Sequence, residues 1–240
     1  MIKIYDYLEP SLPADRCDQH SALSIIQNRV STTNYSPKKI LDLGCGVGKS
    51  MAQFKSILPD AEWAGVDIES SPEVAARSLT GSAFHTYDGI NLPFPDNYFD
   101  LVYSHQVFEH VRYPEALLVD ARRVIAPGGL FVGQTSHLEP YHSYSIFNYT
   151  PYGWKVIAEA AGFDVKELRP GIDGITLTKR SYLGHDKSFN RWFVEESPLN
   201  LDIQSTAVQK KLSTKVINFR KLMHSGQFCF VMSPIMPSKV

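Results

Sequence analysis

Apolar residues along this chain fall into short runs that stop at glycine, proline or aspartate. Between the runs, apolar positions recur every three or four residues. Lys39–Leu43, Trp63–Asp67, Ala83–Tyr87, Asp100–Ser104 and Leu130–Gln134 have the length and boundaries of buried strands, and Asp164–Leu168 and Phe228–Met232 supply two more. His20–Val30, Lys49–Leu58, Pro72–Leu79, Pro114–Ile125 and Thr150–Ala161 carry the helical spacing. Pro72 and Pro114 stand in first turns, where a missing N–H costs little. Pro59, Pro127-Gly-Gly and Gly162 mark helix ends. Strands alternating with helices predict an α/β fold, doubly wound, with a mostly parallel seven-stranded sheet and helices on both faces.

From about Ser181 to Ser225 the alternation lapses. Val208, Leu212, Val216, Phe219 and Met223 share one face of a helix, and predict a single amphipathic helix within a small helical cap inserted before the last strand, over residues 181–225. With neither repeats nor a low-complexity linker, the 240 residues read as one domain.

The formal net charge is −1, so no whole-chain field draws the protein to nucleic acid or to an anionic membrane. Cys17, Cys45 and Cys229 are odd in number and widely spaced, which fits neither a disulfide framework nor a zinc pattern and points to a reducing compartment. Met1–Pro13 lacks the basic-then-apolar order of a signal peptide, and no apolar run of about 18 residues exists to span a membrane. The expected address is the cytoplasm.

Ile40-Leu-Asp-Leu-Gly-Cys-Gly-Val-Gly48 joins a predicted strand to a predicted helix. Glycines there allow a tight turn and let a ligand touch bare backbone, and the helix N-terminus favours an anionic group. The G-x-G-x-x-G pattern of dinucleotide-binding enzymes is not matched, because Lys49 stands where the third glycine belongs. A ligand-free strand–helix turn would use the same glycines.

Further motifs follow in a fixed order: Gly65-Val-Asp67, Leu92-Pro-Phe-Pro-Asp96, Phe99-Asp-Leu-Val-Tyr-Ser104, Phe108-Glu-His-Val111 and Arg122-Arg-Val-Ile-Ala-Pro-Gly-Gly-Leu130. With the glycine loop, this set resembles the class I, Rossmann-like S-adenosylmethionine-dependent methyltransferases, in particular the type 11 branch that includes ubiquinone-biosynthesis enzymes. The resemblance covers about residues 38–135 and is looser outside them. It implies S-adenosylmethionine as cofactor and S-adenosylhomocysteine as product. It implies that Asp42, with Gly44, Cys45 and Gly46, serves the methionine part of the cofactor, that Asp67 takes the ribose hydroxyls and Ile68 packs on the adenine, and that Asp88 and Gly89 meet the adenine amino group. Ser104 and His105 would face the transferable methyl. Residues 1–35 would form an N-terminal helical lid, with Tyr5 and Tyr7 folded over the cofactor.

Methyl transfer from a sulfonium draws its electrophile and leaving group from the cofactor, so the protein mainly positions the acceptor. A hydroxyl acceptor also benefits from a base, and histidine titrates in the useful range. His105, His137 and His142 follow the fourth and fifth strands and are the candidate catalytic residues; His105 serves equally as a cofactor contact. Glu109 and His110 read as braces of the domain. Although His105, Glu109 and His110 approach H-x-x-E-H, they carry one residue too many, and no metal site is expected. The aromatic stretch Tyr141, Tyr144, Phe147, Tyr149, Tyr152 and Trp154 suits a sugar or another ring, or else a wall of the core. The expected activity is therefore methyl transfer to a small-molecule or glycan acceptor, on oxygen. Two alternatives stand beside it: a catalytically silent S-adenosylmethionine-binding module, and a methyltransferase acting on a macromolecule. Nucleic acid is disfavoured, because Ser104-His-Gln-Val replaces the Asn/Asp-Pro-Pro-aromatic motif of the base-modifying enzymes.

Overall fold

The computed structural model describes residues 3–235. The apolar runs form seven strands: β1 (Lys39–Leu43), β2 (Glu62–Ile68), β3 (Phe84–Tyr87), β4 (Phe99–His105), β5 (Ile125–Ser136), β6 (Phe163–Pro170) and β7 (Gln227–Pro234). They make one sheet in the order β3-β2-β1-β4-β5-β7-β6. The first five run parallel, while β7 lies antiparallel between β5 and β6. This is the expected doubly wound, mostly parallel sheet.

Alternation along the strands divides the core between the two faces. Ile40, Leu101, Val132 and Val231 belong to one buried cluster. Their neighbours Leu41, Val102, Phe131 and Phe230 belong to the other. Two helices, α2 (Ala22–Thr32) and α3 (Lys49–Ile57), cover the first face with Ala22, Ile25, Ile26 and Phe54. On the opposite face, α5 (Pro114–Val124) and α6 (Pro151–Ala160) supply Leu117, Leu118, Ala121, Trp154 and Ala158. The short α1 (Ile4–Leu8) lies beside α6, where Tyr7 stacks edge-on against Tyr152 at 5.2 Å. The short α4 (Pro72–Ala75) follows β2 and is half the predicted length.

Between β6 and β7 the chain forms α7 (Gly174–Tyr182), a 3-10 turn at Lys187–Phe193, α8 (Pro198–Gln209) and α9 (Thr214–Met223). The single amphipathic helix expected here is two helices. Lys211 has a positive φ of 53°, and Ser213 caps α9 by accepting from the Val216 amide, so the chain turns between Val208 and Val216. Val208 is consequently 65% exposed. No helix among the described residues is long and apolar enough to cross a membrane.

The loop from Leu92 to Asp96 is anchored on α5 by one side chain. Arg123 donates to the carbonyls of Leu92 (2.9 Å) and Phe94 (2.7 Å) and to the carboxylates of Asp120 and Asp96. Asp120 in turn accepts from the Leu92 amide at 2.6 Å. Arg123→Ala leaves two loop carbonyls without their partner and is expected to cost about 2 kcal/mol, at roughly 1 kcal/mol per lost bond. In thermal unfolding the midpoint falls by about 4–8 °C; an unchanged midpoint would show that the loop is held by other means.

Candidate active site

The parallel strands β3, β2, β1 and β4 all end at one edge of the sheet, and the order reverses between β1 and β4. Open α/β sheets bind ligands at such a switch point. A cavity of about 820 Å³ lies there. Its walls come from the ends of those strands: Gly44 and Gly46 after β1, Asp67 and Ile68 of β2, Tyr87, Asp88 and Gly89 at β3, and His105 at the end of β4. Gln106, Val107, His110 and Val111 continue the wall, and the segment His142–Ile146 closes the far side.

The glycine loop is shaped by its backbone. Gly44, Gly46 and Gly48 have φ of 76°, 48° and 83°. A Cβ on Gly44 would stand 2.2 Å from a Val107 methyl, and one on Gly46 would stand 3.3 Å from the Glu73 side chain. The loop thus offers a bare backbone cradle. Asp67 fixes it from β2: Oδ2 accepts from the Gly46 amide at 2.7 Å and Oδ1 from the Ile68 amide at 2.8 Å. On the third strand, Asp88 accepts from the Ile90 and Asn91 amides at 2.9 and 2.6 Å and from the Asn91 side chain, which, with those amides, lowers its pKa.

Not every expected contact reaches the cavity. Asp42 shares a strand face with Ile40, two residues earlier, and therefore turns toward α3, where Ser50 donates to its carboxylate. It is buried beneath the loop and is not a wall of the cavity. Burial raises its pKa to about 7, with the Ser50 bond opposing and the charge of Asp67 adding to the shift. Cys45 directs its sulfur toward Gly65 and Arg77, and burial pushes its thiol up to about 12, which leaves it inert as a nucleophile. Ser104 is buried on the same sheet face as Val102, is not a wall of the cavity, and its hydroxyl has no hydrogen-bond partner.

Asp42 also makes stability depend on pH. Its native carboxyl stays protonated from the ordinary value of 3.8 up to about 7, so the native state holds more protons than the unfolded one in that window, and stability falls as pH rises through it. Asp42→Asn removes that dependence. Between pH 5 and pH 8, the apo parent should lose melting temperature relative to the Asn variant; parallel melting curves would show that Asp42 ionises normally.

The three candidate histidines separate. His105 and His142 line the cavity, His105 with its side chain accessible from it. His137 does not reach it. Its amide bonds the Gly226 carbonyl at 2.7 Å and the next amide bonds Ser225, so the chain after β5 still follows the β7 side. There the His137 ring lies buried against Phe228, with ring centroids 6.4 Å apart. The aromatic stretch divides in the same way. Tyr144 stands at the cavity mouth, while Tyr149 and Trp154 belong to the core, where the Tyr149 hydroxyl donates to the Phe108 carbonyl at 2.9 Å. None of the N-terminal residues from 3 to 35 borders the cavity, and Tyr5 packs on Phe219 of α9 instead.

Several cavity residues lay outside the sequence reading. Ser71, Pro72 and Glu73 at the start of α4 form one side, and Arg112 and Tyr113 border the mouth. Glu109, His110 and His142 also converge, with one potential ligand atom of each lying within 4.8 Å of the others. The sequence separates His142 from the other two by a whole strand, so no local spacing could announce the group. The link is made by the backbone: the Ile146 and Phe147 amides both donate to the Glu109 carbonyl, at 2.6 and 3.0 Å.

Residues 41–133, the span of the glycine loop and the first five strands, match a family model described as a methyltransferase domain. The chain is 31% identical over 135 residues to a demethylmenaquinone methyltransferase of Symbiobacterium thermophilum, covering 52% of this chain and 53% of that one. It is 34% identical over 102 residues to the chloroplastic tocopherol O-methyltransferase of Arabidopsis thaliana, covering 40% and 29%. The chain thus spans about half or less of the length of these two curated relatives. Phosphoethanolamine N-methyltransferase 2 of Haemonchus contortus, solved in complex with S-adenosyl-L-methionine, superposes with a TM-score of 0.55 over 89% of this chain and 52% of that one, at 19% identity, a likeness of fold. Sheet order, glycine cradle and the matched family model agree on a methyltransferase domain of the class I, Rossmann-like, S-adenosylmethionine-dependent kind, and over residues 41–133 the chain is similar to it in sequence.

Proposed function

We propose that the protein methylates an oxygen of a small-molecule or glycan acceptor. The observation that carries this reading is one continuous cavity with two unlike ends: a glycine and carboxylate end at Gly44, Gly46, Asp67 and Asp88, and a histidine-bearing end at His105, His110 and His142. The first end suits the cofactor and the second suits an acceptor.

When bound, S-adenosylmethionine supplies an electrophilic methyl and its own leaving group. The chain has to hold and aim. Gly44 and Gly46 offer backbone to the methionine part, and Asp42 supports that part from beneath the loop through Ser50 and α3. Asp67 would take the ribose hydroxyls, and Ile68 and Tyr87 would flank the adenine, with Asp88 and Gly89 at its edge; all five line the cavity. His105, at the end of β4 and on the cavity wall, would stand beside the transferable methyl and would take a proton from an acceptor hydroxyl as a neutral imidazole. His142 orients the acceptor from across the cavity or shares its proton. Tyr113 and Tyr144, 57% and 74% exposed at the mouth, offer aromatic faces to a ring, which favours a sugar or an aromatic acceptor.

The test is calorimetric titration with S-adenosylhomocysteine, with NAD as control, followed by a screen of hydroxylated rings and sugars for a mass gain of one methyl group. Saturable binding to the first alone, and a methylated product, support the proposal. Binding without turnover across the panel would favour a silent S-adenosylmethionine-binding module, and absence of binding would refute the cofactor assignment.

A further inference from the structure

We propose that Glu109, His110 and His142 bind a divalent transition-metal ion at the acceptor end of the cavity, and that the acceptor presents two adjacent oxygens to it. The second half of this statement rests on the methyl-transfer reading above; the first half does not.

The donor set is two imidazoles and one carboxylate, with one potential ligand atom of each within 4.8 Å of the others. Ligands at metal distances of about 2.0–2.2 Å lie about 3–4 Å from one another, so a small side-chain adjustment closes the set. Two histidines and a carboxylate suit zinc, iron, cobalt, nickel or manganese and leave coordination positions open. Here the open side is the cavity, since His110 and His142 both line it.

Two further observations point to a bound cation. Glu109 is fully buried, and among the described residues no lysine, arginine or histidine forms an ion pair with it. Glu139 stands beside it, joined through Ser136, whose hydroxyl oxygen lies 3.0 and 2.7 Å from the two carboxylates and can donate its single proton to one of them, and the nearest cationic partner of Glu139 is His142 at 3.8 Å. Two neighbouring carboxylates, of which Glu109 has no ion-pair partner, leave negative charge in a desolvated place, which is costly unless a proton or a cation offsets it. Second, Nδ1 of His110 is buried without a hydrogen-bond partner. The Gln106 side chain, with its amide nitrogen turned inward, donates to Glu109 Oε1 at 2.5 Å and to Glu139 Oε2 at 3.2 Å, a neutral donor that brings no positive charge.

The chemistry follows. An ion held here by three protein ligands can take a vicinal diol, a catechol or a 2-hydroxy acid in its open positions. It lowers the pKa of the bound hydroxyl, as it does that of bound water. The hydroxyl loses its proton to solvent or to His105, its oxygen bonds the methyl carbon as the carbon–sulfur bond breaks, and S-adenosylhomocysteine is left.

The experiment uses the full chain, stripped with EDTA and titrated with MnCl2 while free Mn²⁺ is followed by electron paramagnetic resonance. One saturable site per chain is expected, weakened more than about tenfold in both His142→Ala and Glu109→Gln and unchanged in the surface variant His185→Ala. His142 lies in a partly exposed loop, so His142→Ala remains informative where Glu109→Gln fails to fold. No saturable site, or equal affinity in His142→Ala, overturns the metal site. S-adenosylhomocysteine is titrated in parallel, so loss of the cofactor reading is seen separately. Finally, 3,4-dihydroxybenzoate is compared with 4-hydroxybenzoate: methylation of the former that stops on adding EDTA supports the chelated acceptor, and methylation of either that persists without metal overturns it.

Discussion

Asp67→Ala should weaken the binding of S-adenosylhomocysteine by at least about two orders of magnitude, the share of two hydrogen bonds to a charged acceptor at roughly 1.5 kcal/mol each. Asp67 ends β2 with a carboxylate on the cavity wall. One lone pair of each oxygen is engaged by the Gly46 and Ile68 amides, at 2.7 and 2.8 Å. A carboxylate accepts about four bonds, so one position on each oxygen remains open, and the proposed ribose contacts would use these two. The variant also releases the Gly46 amide and loosens the cradle, so the loss exceeds that of the ribose contacts alone. Asp67→Asn keeps one acceptor oxygen and should fall between. Calorimetry checks both, and an affinity unchanged in Asp67→Ala would remove this residue from the cofactor site.

Much of this site could be read from the chain because it rests on features that are local in sequence. A buried strand announces itself by an apolar run, and a strand end by the glycine or aspartate that follows. Gly44, Gly46, Asp67, Ile68, Asp88 and Gly89 are all such strand ends, and all line the cavity. Facing, by contrast, depends on parity along a strand. Asp42 and Ser104 sit in strands of the expected position but on opposite faces of the sheet, and neither lines the cavity: Asp42 turns to Ser50, and Ser104 goes into the core.

Contacts between distant segments were hidden for a different reason. His137 and His142 are close in sequence, but pairing with the β7 side carries the first away while the turn at Ser143 and Tyr144, both at positive φ, returns the second to the cavity. No periodicity encodes that turn. Likewise, the five apolar positions from Val208 to Met223 fit one helix by spacing, and only the cap at Ser213 and the left-handed Lys211 break it. Serine and lysine are common within helices, so neither residue signals a break on its own.

Gly44→Ala should cost about 3 kcal/mol or more of stability, combining a left-handed backbone penalty of roughly 1–2 kcal/mol with overpacking of roughly 1–3 kcal/mol. At φ 76° the alanine Cβ would meet Val107 at 2.2, 2.9 and 3.1 Å, the whole branched end of that side chain. Val107 follows Gln106, itself at φ 56°, and is itself a cavity wall, so any retreat reshapes the pocket. Gly44 cannot retreat either, because its amide and that of Cys45 both donate to the Val66 carbonyl, at 2.8 and 3.1 Å. The melting temperature should therefore fall by about 6–12 °C, at roughly 2–4 °C per kcal/mol for a chain of this size, and S-adenosylhomocysteine affinity should be lost at temperatures where the variant is still folded. Gly89→Ala is the contrast: φ is 93°, but its added Cβ meets nothing within 4 Å, so only the backbone penalty applies. The double variant Gly44→Ala/Val107→Ala separates the two terms. It removes the clash and keeps the strain, so it should recover part of the stability lost in Gly44→Ala beyond what Val107→Ala alone predicts. If the two substitutions simply add, Val107 does not confine this turn, and the glycine is required for its backbone angle alone.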